Sequence, residues 1–67
     1  MRLLNSTELL VHFGTEDVML ENEVIDEIVL MRHYTRQEAI NSIKRGIDKK
    51  VIKKKGKKLY CLIKEAK

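Results

Sequence analysis

Lys53, Lys54, Lys55, Lys57 and Lys58 crowd around one glycine, Gly56. Five ammonium groups so placed suit phosphates, which need point charge more than exact geometry. Upstream, Gln37 and Asn41 stand four residues apart, with Arg36, Lys44 and Arg45 around them. On a helix this spacing gathers amides and cations on one face. Asn and Gln can take adenine through paired hydrogen bonds, and Arg can take guanine in the same way. Thr35 and Arg36, at a helix N-terminus, can meet a phosphate oxygen, and Tyr34 can donate to one from the preceding turn. Each residue also has an ordinary role. Exposed amides are commonly just solvated, lysines on a hairpin tip discourage edge-to-edge association, and Tyr34 fits equally well packed against a helix. Five lysines exceed what protecting a strand edge requires.

The charge is strongly segregated. Residues 44–67 hold eleven of the fourteen Lys and Arg residues beside Asp48 and Glu65, a net +9, whereas residues 1–43 carry −5. The overall +4 conceals this. A dense positive field at one end of a small domain points to a polyanion, nucleic acid first.

Other chemistries lack their groups. Cys61 is the sole cysteine, so neither a disulfide nor a CxxC metal site can form. His12 and His33 stand far apart without a second thiol, which argues against zinc and against catalysis. There is no nucleophile–base motif and no glycine-rich phosphate loop. The expectation is a non-enzyme without cofactor, metal or small-molecule ligand. The start MRLLNSTELL is interrupted by Asn5, Ser6, Thr7 and Glu8 and does not read as a signal peptide. No apolar run approaches the ~20 residues that span a bilayer. A soluble cytoplasmic protein without membrane partners is expected.

These groups must be positioned by a single domain, residues 1–67, near the lower size limit for independent folding. Homodimerisation would add buried surface. Asn5 with Glu8 reads as a capping box opening a helix at about 5–13, with Leu9, Leu10 and Phe13 toward a core and Gly14 as its left-handed stop. After the polar connector Thr15–Asp17, residues 18–20 are either a short strand or the start of the next helix. The second helix, about 22–32, buries Val24, Ile25, Ile28 and Met31 at helical spacing. Its acids lie at the N-terminus and Arg32 and His33 at the C-terminus, as the macrodipole favours. Thr35 with Glu38 caps a third helix, about 36–49. Ile40, Ile43 and Ile47, with Ala39 at the edge, form its expected buried stripe. Gln37, Glu38, Asn41, Ser42, Arg45 and Lys49 are expected to face outward. Two β-prone runs around Gly56 make a hairpin at about 51–63, with Gly56 supplying a positive φ.

The order helix, short strand, helix, tight turn, helix, basic hairpin resembles the winged helix-turn-helix family. The resemblance rests on TRQEAINSIKRGIDKKVIKKKGKKLYCLIK, Thr35 to Lys64, with ENEVIDEIVLMRHY as the supporting helix. It implies an α+β, mostly helical fold: three helices with a C-terminal β-hairpin wing. It further implies a third helix entering the DNA major groove while the wing touches the backbone or minor groove. Gly46 stands where such proteins more usually have a large apolar residue, and Lys50 where glycine often closes the helix. Ile47 is then expected to take over the core role, with a small rotation of the helix.

The function expected from sequence is double-stranded DNA binding, as in a small transcriptional regulator. Its site would comprise Tyr34, Thr35, Arg36, Gln37, Asn41, Lys44, Arg45, Lys53, Lys54, Lys55, Lys57 and Lys58. The alternatives are a protein-interaction module of the same fold, and RNA binding. The scarcity of stacking aromatics counts against the single-stranded RNA mode.

Overall fold

The computed structural model describes residues 2–14 and 16–62. Thr15 of the connector and Ile63 at the end of the expected hairpin lie outside them. The chain is α+β: α1 (Ser6–Val11), β1 (Val18–Leu20), α2 (Glu21–Arg32), α3 (Arg36–Asp48), β2 (Ile52–Lys55) and β3 (Lys58–Cys61). The strands form one antiparallel sheet in the order β1–β3–β2. Residues 18–20 are thus a strand, and α2 follows directly. The first N–H of α2, on Glu21, donates to the carbonyl of Lys57 at the hairpin tip (2.9 Å).

Both capping boxes form. Glu8 N–H donates to Asn5 Oδ1 (2.8 Å) and Glu38 N–H to Thr35 Oγ1 (3.1 Å), while each glutamate carboxylate accepts its cap's backbone N–H. α1 ends at Val11, and a further turn through His12 and Phe13 reaches Gly14, whose φ is +58°. The end of α3 is a Schellman motif. Val51 N–H donates to Gly46 O and Lys50 N–H to Ile47 O, with Lys50 in the left-handed conformation that glycine usually supplies. In the hairpin, Gly56 at φ +62° opens a two-residue loop between paired Lys55 and Lys58.

The core joins Leu4, Leu9 and Phe13 to Val24, Ile25 and Ile28 of α2, Ala39 and Ile43 of α3, and Val51, Ile52, Leu59 and Cys61. Two expectations need correction. Met31 is 65% exposed, because α2 outruns the core at its C-terminal end. And α3 buries Ala39, Ser42, Ile43 and Gly46, with Ile40 and Ile47 only partly covered. The helix is turned about its axis by roughly the 100° between adjacent residues.

Packing at two positions accounts for that turn. Gly46 does not hand its place to Ile47; it is itself in the core. A β-carbon there would press on the Leu9 side chain and lie 3.2 Å from Ile52, so α1, α3 and β2 meet at the bare backbone. Ser42, expected outside, is fully buried because its hydroxyl is satisfied twice. It accepts from Leu4 N–H (3.0 Å) and donates to Glu38 O (2.8 Å). Arg2 N–H meanwhile donates to the Glu38 carboxylate (3.0 Å). Two residues of extended chain advance ~6.6 Å and four of helix ~6 Å. Alternate N–H groups of the N-terminal segment therefore meet side chains one turn apart on α3.

Candidate functional site

The expected site residues separate into three environments. Lys53, Lys55 and Lys58 lie on the outer face of the sheet with Tyr60, since Lys53 pairs with Tyr60 and Lys55 with Lys58. Directly opposed like charges destabilise a strand pair. Lys57 occupies the tip. Lys54 is opposite Leu59 on the helix side of the sheet, where its Nζ lies 3.3 Å from Glu21 Oε1.

On α3, Gln37, Lys44 and Arg45 are exposed, and Asn41 is half-buried. Gln37 Nε2 donates to Asn41 Oδ1 at 3.0 Å, which links the two amides. The turned helix withdraws Ser42 from the outward face and centres that face on Gln37, Asn41, Lys44 and Asp48. Glu38 is withdrawn too. Its carboxylate accepts the N–H groups of Arg2 and Thr35, and these bonds hold its pKa down at about 2, from an ordinary 4.5.

The start of α3 is committed to structure. The Thr35 hydroxyl caps the helix, and the half-buried Tyr34 ring lies 4.4 Å beneath the Arg2 guanidinium. Arg36 faces Asp26 of α2 at 3.5 Å, with both side chains largely exposed, so the pair contributes little.

Between α2, α3 and β2 runs a groove of ≈ 500 Å³. Ile25, Ile40, Ile43 and Ile47 line it, with Arg36, Lys44 and Lys54 among its polar residues. Sequence reasoning assigned all four to the core, which Ile25 and Ile43 do join, whereas Ile40 and Ile47 are only partly covered. The sign that could have warned of it was Gly46, whose missing side chain lets the neighbouring elements approach and turns Ile40 and Ile47 to one flank.

A second cluster escaped sequence reasoning altogether. His12 is buried, with Nδ1 3.0 Å from Glu27 Oε1 and Nε2 accepting from Arg32 Nε at 2.8 Å. That acceptor role places the ring proton on Nδ1, toward Glu27. Arg32 also approaches Glu8 at 3.7 Å, so the cluster ties α1 to α2. Its partners are fifteen and twenty residues away from His12 in sequence, beyond the reach of any local pattern.

No described helix is long and apolar enough to cross a membrane. No protein-family model, curated protein sequence or solved structure matches the chain.

Proposed function

We propose that this chain binds double-stranded DNA as a compact winged helix-turn-helix domain, most simply a small transcriptional regulator. In this reading α3 enters the major groove and the lysine-rich hairpin lies along the phosphate backbone. One observation carries it. Of the nine described cations from Lys44 to Lys58, only Lys54 has a carboxylate partner. The other eight, on α3, its C-terminal turn and the hairpin, have no carboxylate within ion-pair distance among the described residues. The Lys55–Lys58 opposition makes some of that charge a cost to folding, which a partner's phosphates would relieve. The element order, three helices followed by a β-hairpin, is compatible with the layout that the resemblance implies. Gln37, Asn41 and Lys44 supply amides and a cation on the outward face of α3, and Lys54 lines the groove beside it.

Leu30 and Met31 favour a protein contact in addition. They are 75% and 65% exposed, at the end of α2 opposite to Glu21, which touches the hairpin tip. Homodimerisation through this end would leave the basic surface open.

The test is duplex affinity against salt, followed by fluorescence anisotropy. Affinity should fall with a log–log slope of ~0.9 for each phosphate neutralised, so eight unpaired cations limit the slope to about 7. Absence of duplex binding at low salt would sink the reading in favour of a protein-interaction module.

A further inference from the structure

We infer that the outer face of the sheet binds single-stranded DNA, stacking an unpaired base on Tyr60 while lysines hold the flanking phosphates. This goes beyond the duplex reading and does not depend on it. β3 is the middle strand, and its two registers set the side chains in cross-strand rows. One row runs Val18–Tyr60–Lys53 and the next Leu20–Lys58–Lys55. Side chains alternate along a strand, so these six share one side of the sheet and the core residues Ile52 and Leu59 the other. The core leaves the outer side open: Val18 and Leu20 are 37% and 43% exposed, and the three lysines are exposed. Tyr60, half-buried, sits in the middle of its row, beside a hollow of ≈ 340 Å³ that Lys53, Lys55 and Leu62 also line.

The face selects its occupant by chemistry. None of the three lysines has a carboxylate within ion-pair distance among the described residues, and Lys55 and Lys58 oppose each other directly. Such a pair is relieved by an anion between its members, which an apolar protein surface does not supply. The ring adds a second requirement. Tyr34 has the Arg2 guanidinium over its face, whereas among the described residues nothing stacks on Tyr60. In a duplex the bases are already stacked on one another. An unpaired strand offers phosphates and free planar bases together, the combination that a basic track with an aromatic ring in it holds. Val18 and Leu20 extend the apolar bed beside the ring and Lys58. One ring stacks one base, so the base-dependent part of the affinity is the signature of this face.

The experiment compares, by anisotropy at low salt, labelled oligothymidylate about eight residues long with an abasic strand of equal length and equal phosphate count. The bases should tighten binding about five- to a hundredfold, the worth of stacking on one ring. Tyr60→Phe should keep that advantage. Tyr60→Leu, which keeps apolar bulk in β3 but loses the π face, should abolish it, with melting temperatures recorded for both. In the unaltered protein the Tyr60 ring protons should shift upfield in NMR spectra as a base stacks, which locates the contact even if the leucine variant fails to fold. Equal affinity for the two strands, unmoved Tyr60 ring protons, or a folded Tyr60→Leu that keeps the difference overturns the inference. Tighter binding of oligouridylate overturns it in favour of RNA. Self-association that covers Tyr60, without single-strand binding, overturns it in favour of a second copy of this chain. Absence of duplex binding with oligothymidylate binding intact overturns the functional reading alone.

Discussion

Cations upstream of Lys44 and those from Lys44 onward are used in opposite ways. Arg2, Arg32 and Arg36 each face a carboxylate: Glu38, Glu8 and Asp26. Two of these pairs join residues more than twenty positions apart, and Arg2 also donates to His33 O at 2.7 Å. Charge in this region closes the fold. From Lys44 to Lys58 the cations do not close anything, Lys54 excepted. The segregation visible in sequence is therefore more than a difference in count. One region consumes its charge internally, and the other leaves it available for a partner.

The largest effect should come from erasing the available charge. Replacing Lys53, Lys55, Lys57 and Lys58 with Ala should lower the salt slope by up to about 3.6 and duplex affinity near 0.1 M salt by about two to three orders of magnitude. The melting temperature should hold or rise, because the Lys55–Lys58 repulsion goes with it. The paired region gives the control: Arg2→Ala and Arg32→Ala should lower the melting temperature and leave the slope alone. If the hairpin variant keeps its slope, the contrast between the two regions has no functional content.

Gly46, where α1, α3 and β2 converge, tests how tightly the two regions are joined. Gly46→Val should destabilise by about 2–3 kcal/mol, since overpacking outweighs any gain in helix propensity. Denaturant unfolding measures it. A variant as stable as the parent would mean that the close approach of Leu9 and Ile52 is not required.

Glu38 tests the internally used charge through pH. Its pKa is depressed to about 2 chiefly by the Arg2 N–H and then by that of Thr35, so its contribution is complete above the unfolded-state value near 4.5. That contribution is lost as pH falls from 4.5 through about 2. The parent's melting temperature should fall across this window. Glu38→Gln should start lower at neutral pH and show a flatter decline; parallel curves would remove Glu38 from the acid response.

The smallest effect concerns Lys54, the one cation claimed by both uses. Glu21→Gln should release it, steepening the salt slope by about 0.9 and raising affinity modestly. An unchanged slope would show that Lys54 stays away from phosphate even when free.

Much of the fold was legible because it depends on local rules. Asn5–Glu8 and Thr35–Glu38 are capping boxes whatever else the chain does, and Gly56 marks the hairpin because β-prone runs flank the polar loop it centres. The isoleucine face of α3 was misjudged for the opposite reason. Periodicity ranks residues by apolarity and made Ile40, Ile43 and Ile47 the buried stripe, whereas close approach chose Ala39, Ser42, Ile43 and Gly46. Small residues won because three elements converge there and a hydroxyl could be satisfied by Leu4 N–H and Glu38 O.

What the sequence by itself determined, then, was the three helices and the hairpin, their boundaries to within a residue or two, and the segregation of charge, with residues 18–20 left between strand and helix; capping, turn chemistry and composition act over a few neighbouring residues. Only the tertiary structure decided the rotation of α3, and with it which side chains share the outward face. It also decided that β1 lies against β3, that His12 is enclosed by Glu27 and Arg32, and that among the described cations from Lys44 to Lys58 Lys54 alone finds a carboxylate. Each of these depends on contacts between residues distant in the chain, where volume, hydrogen-bond satisfaction and ion pairing are settled together and no local pattern records the outcome.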